Sequence, residues 1–202
     1  MFTTQGHDFN QDQFQSSQFI ESPTLGAFNI DDAFIQNSGS SKAKAVVLKL
    51  SNTRDGKCTV KIWTNKKDGS EVMQQKTKIL NIMNILGLEE LTPKEESRKN
   101  YNGDFESVVI FPQLVGQTLS ALINTQWNEY EGNVKIQCDL VNVTYADFST
   151  IQERLNGSEI EQAQKSLAYF SKRWEATEKP KVQNDSAPSS YENEPFPSET
   201  PF

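Results

Sequence analysis

Lys44-Ala-Val-Val-Leu-Lys-Leu-Ser-Asn-Thr-Arg-Asp-Gly-Lys-Cys-Thr-Val-Lys-Ile-Trp-Thr64 is the stretch that decides the fold. Val46, Leu48 and Leu50 recur at every second position, and Cys58, Val60 and Ile62 do the same. A period of two marks a strand with one buried face. Between the runs lies Asn52-Thr-Arg-Asp-Gly56, and an Asp-Gly pair suits the positive-φ positions of a tight hairpin turn. The stretch therefore reads as two antiparallel strands. Val47 and Lys49 on the first, and Lys61 and Trp63 on the second, face away from the core.

On the N-terminal side, Ala27 to Ile35 reads as a preceding strand. Phe28, Ile30 and Phe34 share one parity, with Asp32 as an exception, and that parity makes Phe28 and Phe34 core residues. Asn37-Ser-Gly-Ser-Ser41 is a turn. Residues 1–24 form a flexible polar arm rich in Gln, Asn and Ser, in which Phe9, Phe14 and Phe19 recur at a spacing that fits neither a helix nor a strand. On the C-terminal side the period changes. Ile79, Leu80, Ile82, Met83 and Leu86 follow helical spacing, and Gly87 is placed as a C-cap. Residues 88–110 are an insertion. In it Thr92-Pro93-Lys-Glu-Glu96 predicts a short helix, with Thr as N-cap and Pro in the first turn, and Ser107 to Phe111 predicts a brief strand. Gln117 to Trp127 and Val134 to Tyr145 form a long hairpin around a turn at Glu129-Tyr-Glu-Gly-Asn133. Glu159 to Trp174 is a last helix, with Ile160, Ala163, Leu167 and Phe170 on one stripe. Residues 176–202 are rich in Pro, Ser, Glu and Asn and read as a disordered acidic tail.

Three strands, a helix, an insertion and two more strands is the order of a five-stranded OB barrel. The expectation is thus a mainly β protein, with an OB-like domain over residues 25–175 and disordered segments on either side.

Charge is unevenly placed. The chain of 202 residues carries a net charge of -7, yet residues 42–81 hold ten Lys and Arg against three acids. A local excess of that kind is a footprint for a polyanion, although lysines on a solvated strand pair would look similar. The barrel would bind a single strand with cations for phosphates and rings for bases. The candidates are Lys61 and Trp63, side by side on one face, with Lys49, Arg54, Lys57, Lys66 and Lys67 extending the cationic groove. Cover by the arm or a helix is the other reading of Trp63. In the second hairpin Tyr130 sits in the turn, Lys135 is the cation of the last strand, and Trp127 has a parity that suits core or contact.

Enzyme chemistry finds little purchase. His7, in the arm, is the single histidine. No Cys-x-x-Cys and no Gly-x-x-x-x-Gly-Lys-Ser/Thr occurs, so neither a metal nor a nucleotide cofactor is expected. Cys58 and Cys138 read as buried reduced thiols. The absence of a long apolar run or a secretory pattern predicts a cytoplasmic protein that does not enter a membrane.

The final residues, Tyr191-Glu-Asn-Glu-Pro-Phe-Pro-Ser-Glu-Thr-Pro201-Phe202, resemble the acidic Pro-Phe tip of bacterial and phage single-stranded DNA-binding proteins. Leu25-Gly-Ala-Phe-Asn-Ile-Asp-Asp-Ala-Phe-Ile35, the Asp-Gly hairpin and Leu114-Val-Gly116 are similar to the OB-fold members found in bacteriophages and prophages. The resemblance implies coating of single-stranded DNA in replication, recombination and repair, by a monomer or a homo-oligomer. It also implies a tail that recruits partner enzymes through Glu192, Glu194, Glu199, Pro201 and Phe202. Base stacking and phosphate contacts would serve RNA equally. The alternative is a non-enzymatic adaptor that displays the tail and binds no nucleic acid.

Overall fold

The computed structural model describes residues 19–38, 41–53, 56–99, 103–130 and 133–180. Seven strands and three helices follow in the order β1 (Thr24–Asn37), β2 (Lys44–Asn52), β3 (Lys57–Asn65), α1 (Met73–Leu86), β4 (Lys94–Lys99), β5 (Phe105–Ile110), β6 (Thr118–Tyr130), β7 (Asn133–Thr144), α2 (Ile151–Asn156) and α3 (Gln162–Glu175). The sheet order is β2-β3-β7-β6-β1-β5-β4, and β1 also pairs with β2. Five strands therefore close into a ring, β1-β2-β3-β7-β6 and back to β1. The β3–β7 contact is parallel, and the other pairs of the ring are antiparallel.

The ring encloses one apolar core. Ile30, Leu48, Val60, Ile62, Leu119 and Ile123 lie inside with no more than 1% of their surface exposed. Each such aliphatic side chain contributes about 1.5–3 kcal/mol on leaving water. Helix α1 packs Ile79, Ile82 and Leu86 against this core and ends at Gly87, whose φ of 67° closes it in the left-handed conformation. Lys78 on α1 donates from Nζ to the Leu140 carbonyl at 2.7 Å, tying the helix to β7. Burial lowers the pKa of this lysine, against the opposing pull of Asp139.

The structure departs from the sequence expectations in several places. A bulge between Ile30 and Asp32 leaves Asp31 unpaired on β1. One extra residue reverses the facing of every position after it. Ala33 and Ile35 therefore turn to the core, while Asp32 and Phe34 turn outward. The expected helix at Thr92–Glu96 is instead the start of β4, which pairs with β5 from Lys94↔Ile110 to Lys99↔Phe105. Local capping signals there yield to long-range pairing. The hairpin hangs from β1 through Phe34↔Ile110 and a hydrogen bond from Phe111 N to Ala33 O at 2.9 Å.

The arm assigned to residues 1–24 ends earlier than expected. Phe19 bridges to Lys57, and Ile20 N donates to Lys57 O at 3.0 Å. Ile20 is buried within the main core, beside the β3–β7 seam, where Val60↔Cys138 is the paired position. Tyr130, expected in a turn, is the last paired residue of β6, opposite Asn133. Helix α3 starts after Glu161, leaving Ile160 outside it and exposed. The short α2 has no counterpart in the sequence reading.

Candidate nucleic-acid interface

Ladder register defines the outer face of the ring, because residues directly opposite one another on paired strands share a face. Lys61 lies opposite Val47, and Val47 opposite Phe34. Trp63 lies opposite Ala45, and Ala45 opposite Gln36. Thr59 lies opposite Lys49, and Lys49 opposite Asp32. Lys57 lies opposite Ser51. Three adjacent strands thus bring Phe34, Lys49, Lys57, Lys61 and Trp63 to one surface. Lys49, Lys57 and Lys61 are exposed, whereas Phe34 and Trp63 are half-buried. Ala45 and Val47, between them on β2, are fully buried.

Lys66 and Lys67 lie in the turn after β3 and are exposed. Lys42 N donates to Lys67 O at 3.2 Å, and Gly69, with φ 90°, packs on the Lys42 stem. Lys44 lies opposite Asn65. Lys42 and Lys44 thereby join Lys66 and Lys67 at the Trp63 end of the face, although the sequence reading singled out only the latter pair. Arg54 and the tail residues Glu192, Glu194, Glu199, Pro201 and Phe202 lie outside the described residues.

Phe34 is the residue that sequence reasoning missed. Strict alternation assigns it to the core, and the bulge puts it outside. The available signal was Asp32, a carboxylate at an inward parity, which a bulge resolves. Lys49 Nζ lies 5.4 Å from the Phe34 ring centroid, and the Arg98 guanidinium lies 6.0 Å from it. Arg98 on β4 also went unread. Its Nη1 donates to both oxygens of Asp32 at 2.9 Å.

Trp127 does not join this face. Its ring stacks on Trp174 of α3, with centroids 5.2 Å apart and planes at 25°, and Lys179 Nζ lies 5.3 Å from the ring. Trp127 lies opposite Ile136, which packs against the core, whereas Lys135 lies opposite Asn128 and is exposed. Trp127 and Lys135 therefore point to opposite faces of the hairpin.

Cys58 and Cys138 are both buried and free, brought together at the β3–β7 seam. The hydrogen bond between the thiols, together with burial, pushes the Cys58 pKa far up. Cys138 Sγ also lies 3.9 Å from the Ile20 carbonyl oxygen. The hydrogen bond between the thiols lowers the Cys138 pKa, so it is burial that shields Cys138 from reagents in solvent. Among the described residues no three His, Cys, Asp or Glu side chains converge as metal ligands would. No helix there is long and apolar enough to cross a membrane.

No protein-family model matches the chain, and no curated protein matches it.

Proposed function

We propose that the ring is an OB barrel and that the protein coats single-stranded DNA largely without sequence preference, as bacteriophage-type single-stranded DNA-binding proteins do. The observation that carries this reading is the outer face of β1–β3, where Phe34 and Trp63 stand among Lys49, Lys57 and Lys61. Rings accept the π-face of any base, and cations spaced along a strand follow a phosphate backbone. Such a face has affinity without base-edge readout. The closed order of strands with a single parallel contact and a helix between β3 and the final hairpin also supports an OB barrel.

In this reading the protein is a non-catalytic, cytoplasmic component of replication, recombination or repair. The acidic segment after residue 175 recruits partner proteins. Trp63→Ala weakens binding by about 1–3 kcal/mol with the fold retained. Lys61→Ala lowers the slope of log affinity against log salt by about 0.7. Anisotropy of a labelled oligonucleotide checks both. A folded Trp63→Ala with wild-type affinity would overturn the assignment of this face.

A further inference from the structure

A carboxylate stands in the middle of this cationic face. Asp32 lies next to Phe34 on β1, with its side chain 15% exposed. Its oxygens accept from Arg98 Nη1 at 2.9 Å, and Asp32 Oδ2 lies 3.3 Å from Lys49 Nζ. Arg98 Nε donates to Glu96 at 3.2 Å, and the guanidinium lies near the Phe34 ring. Lys94↔Ile110↔Phe34 is the row where the hairpin joins β1, and Arg98 stands four residues further along β4. Its reach back to Asp32 requires the hairpin to lean over the outer face. The Lys49–Asp32 pair, with its lysine 54% exposed, adds little to stability. Asp32 does hold two cations beside a ring, on the surface where a single strand would run.

We infer that the β4–β5 hairpin is the second wall of the strand-binding groove, in which Arg98 and Lys49 take a phosphate of the bound strand while a base packs on Phe34. This rests on the single-strand reading of the same face. Asp32 occupies the phosphate position in the empty groove and keeps both cations aimed there. The Nη1 group that donates to both carboxylate oxygens of Asp32 can donate to phosphate oxygens in the same way. The strand therefore competes with Asp32 for Arg98 and Lys49. The cost of that competition is affinity, which removal of the carboxylate's charge returns.

The two partners of one ion pair then have opposite effects. Arg98→Ala weakens binding and lowers the salt slope by about 0.7, the share of one phosphate on a single strand. Arg98→Lys keeps the slope and loses part of the affinity. Lys49→Gln weakens binding without touching the hairpin. Asp32→Asn, which keeps the shape and removes the charge, tightens it. The experiment is anisotropy of a fluorescein-labelled oligothymidylate across a salt series, on the full chain, with a circular-dichroism melt of each variant. Arg98→Ala and Asp32→Asn shifting affinity in the same direction would reduce the pair to a structural clip and overturn the inference. So would unchanged affinity and slope in both Arg98→Ala and Lys49→Gln, in a protein that binds the oligonucleotide and loses affinity with Trp63→Ala. A wild-type protein that fails to bind at any salt would instead remove the single-strand reading itself, and this inference with it.

Discussion

Phe34 faces outward because Asp31 is one residue too many for the β1–β2 ladder. Ser51 Oγ donates to Asp31 Oδ1 at 2.8 Å and so holds the extra residue against the neighbouring strand. The sequence carries the alternation of β2 and β3 plainly, in Val46, Leu48 and Leu50 and in Cys58, Val60 and Ile62. A bulge adds a residue without a marker of its own, and only the misfit of Asp32 betrays it. The cysteines show the reverse. Their apolar settings make each legible as buried, but nothing in a separation of 80 residues says that they meet. Their contact follows from the parallel seam of β3 and β7. With Cys58 raised by its neighbour and by burial, and Cys138 shielded beside it, neither thiol reacts with Ellman's reagent at neutral pH until denaturant is added. Rapid labelling in plain buffer would contradict a packed seam.

At the scale of elements, the helix signals divide by what supports them. Gly87 ends α1 as expected, because a left-handed C-cap is a local requirement. The Thr92-Pro93 signal fails because Lys94-Glu-Glu-Ser-Arg-Lys99 has no apolar helical stripe to bury, and β5 offers it a ladder instead. Helix α2 carried a legible mark that went unused, the capping box of Thr150 and Glu153. Glu153 does more than cap. Oε2 accepts from Thr150 N at 2.7 Å, and Oε1 accepts from Gln162 N and Glu161 N at 2.7 and 2.8 Å. One carboxylate thus joins the start of α2 to the start of α3, the helix that delivers Trp174 to Trp127. Those backbone hydrogen bonds, that from Gln162 foremost, hold the Glu153 pKa down to about 2. A carboxylate with a depressed folded pKa stabilises the fold fully above its unfolded value, about 4.3, and loses that contribution as pH falls through the folded one. Thermal melts of the wild-type protein therefore decline between about pH 4.3 and 2 more steeply than those of Glu153→Gln, which also melts lower at neutral pH. Parallel declines would show that this carboxylate does not clip the helices.

The whole molecule is acidic, with a net charge of -7, yet its basic residues concentrate in 42–81. The ring converts that stretch into a surface, because β2, β3 and the turn after β3 all fall within it. This is why the candidate site was largely legible, with Lys49, Lys57, Lys61 and Trp63 read from adjacent alternating strands. Arg98 was not, because it enters from an insertion distant in sequence. Acidic flanks around a basic face disfavour weak anionic ligands and orient strong ones. On the proposed function, the acidic residues of 181–202 compete with the strand for the cationic face, so their deletion is expected to tighten binding most at low salt.

The most direct test is a tryptophan fluorescence titration with a mixed-sequence single-stranded oligonucleotide, at low and high salt, against a duplex of the same sequence. Trp63→Phe serves to separate its signal from that of the stacked Trp127–Trp174 pair. The account predicts quenching by the single strand that Trp63→Phe largely removes, weak response to the duplex, and steep loss of affinity with salt. No response at low salt, even with residues 181–202 deleted, would contradict it.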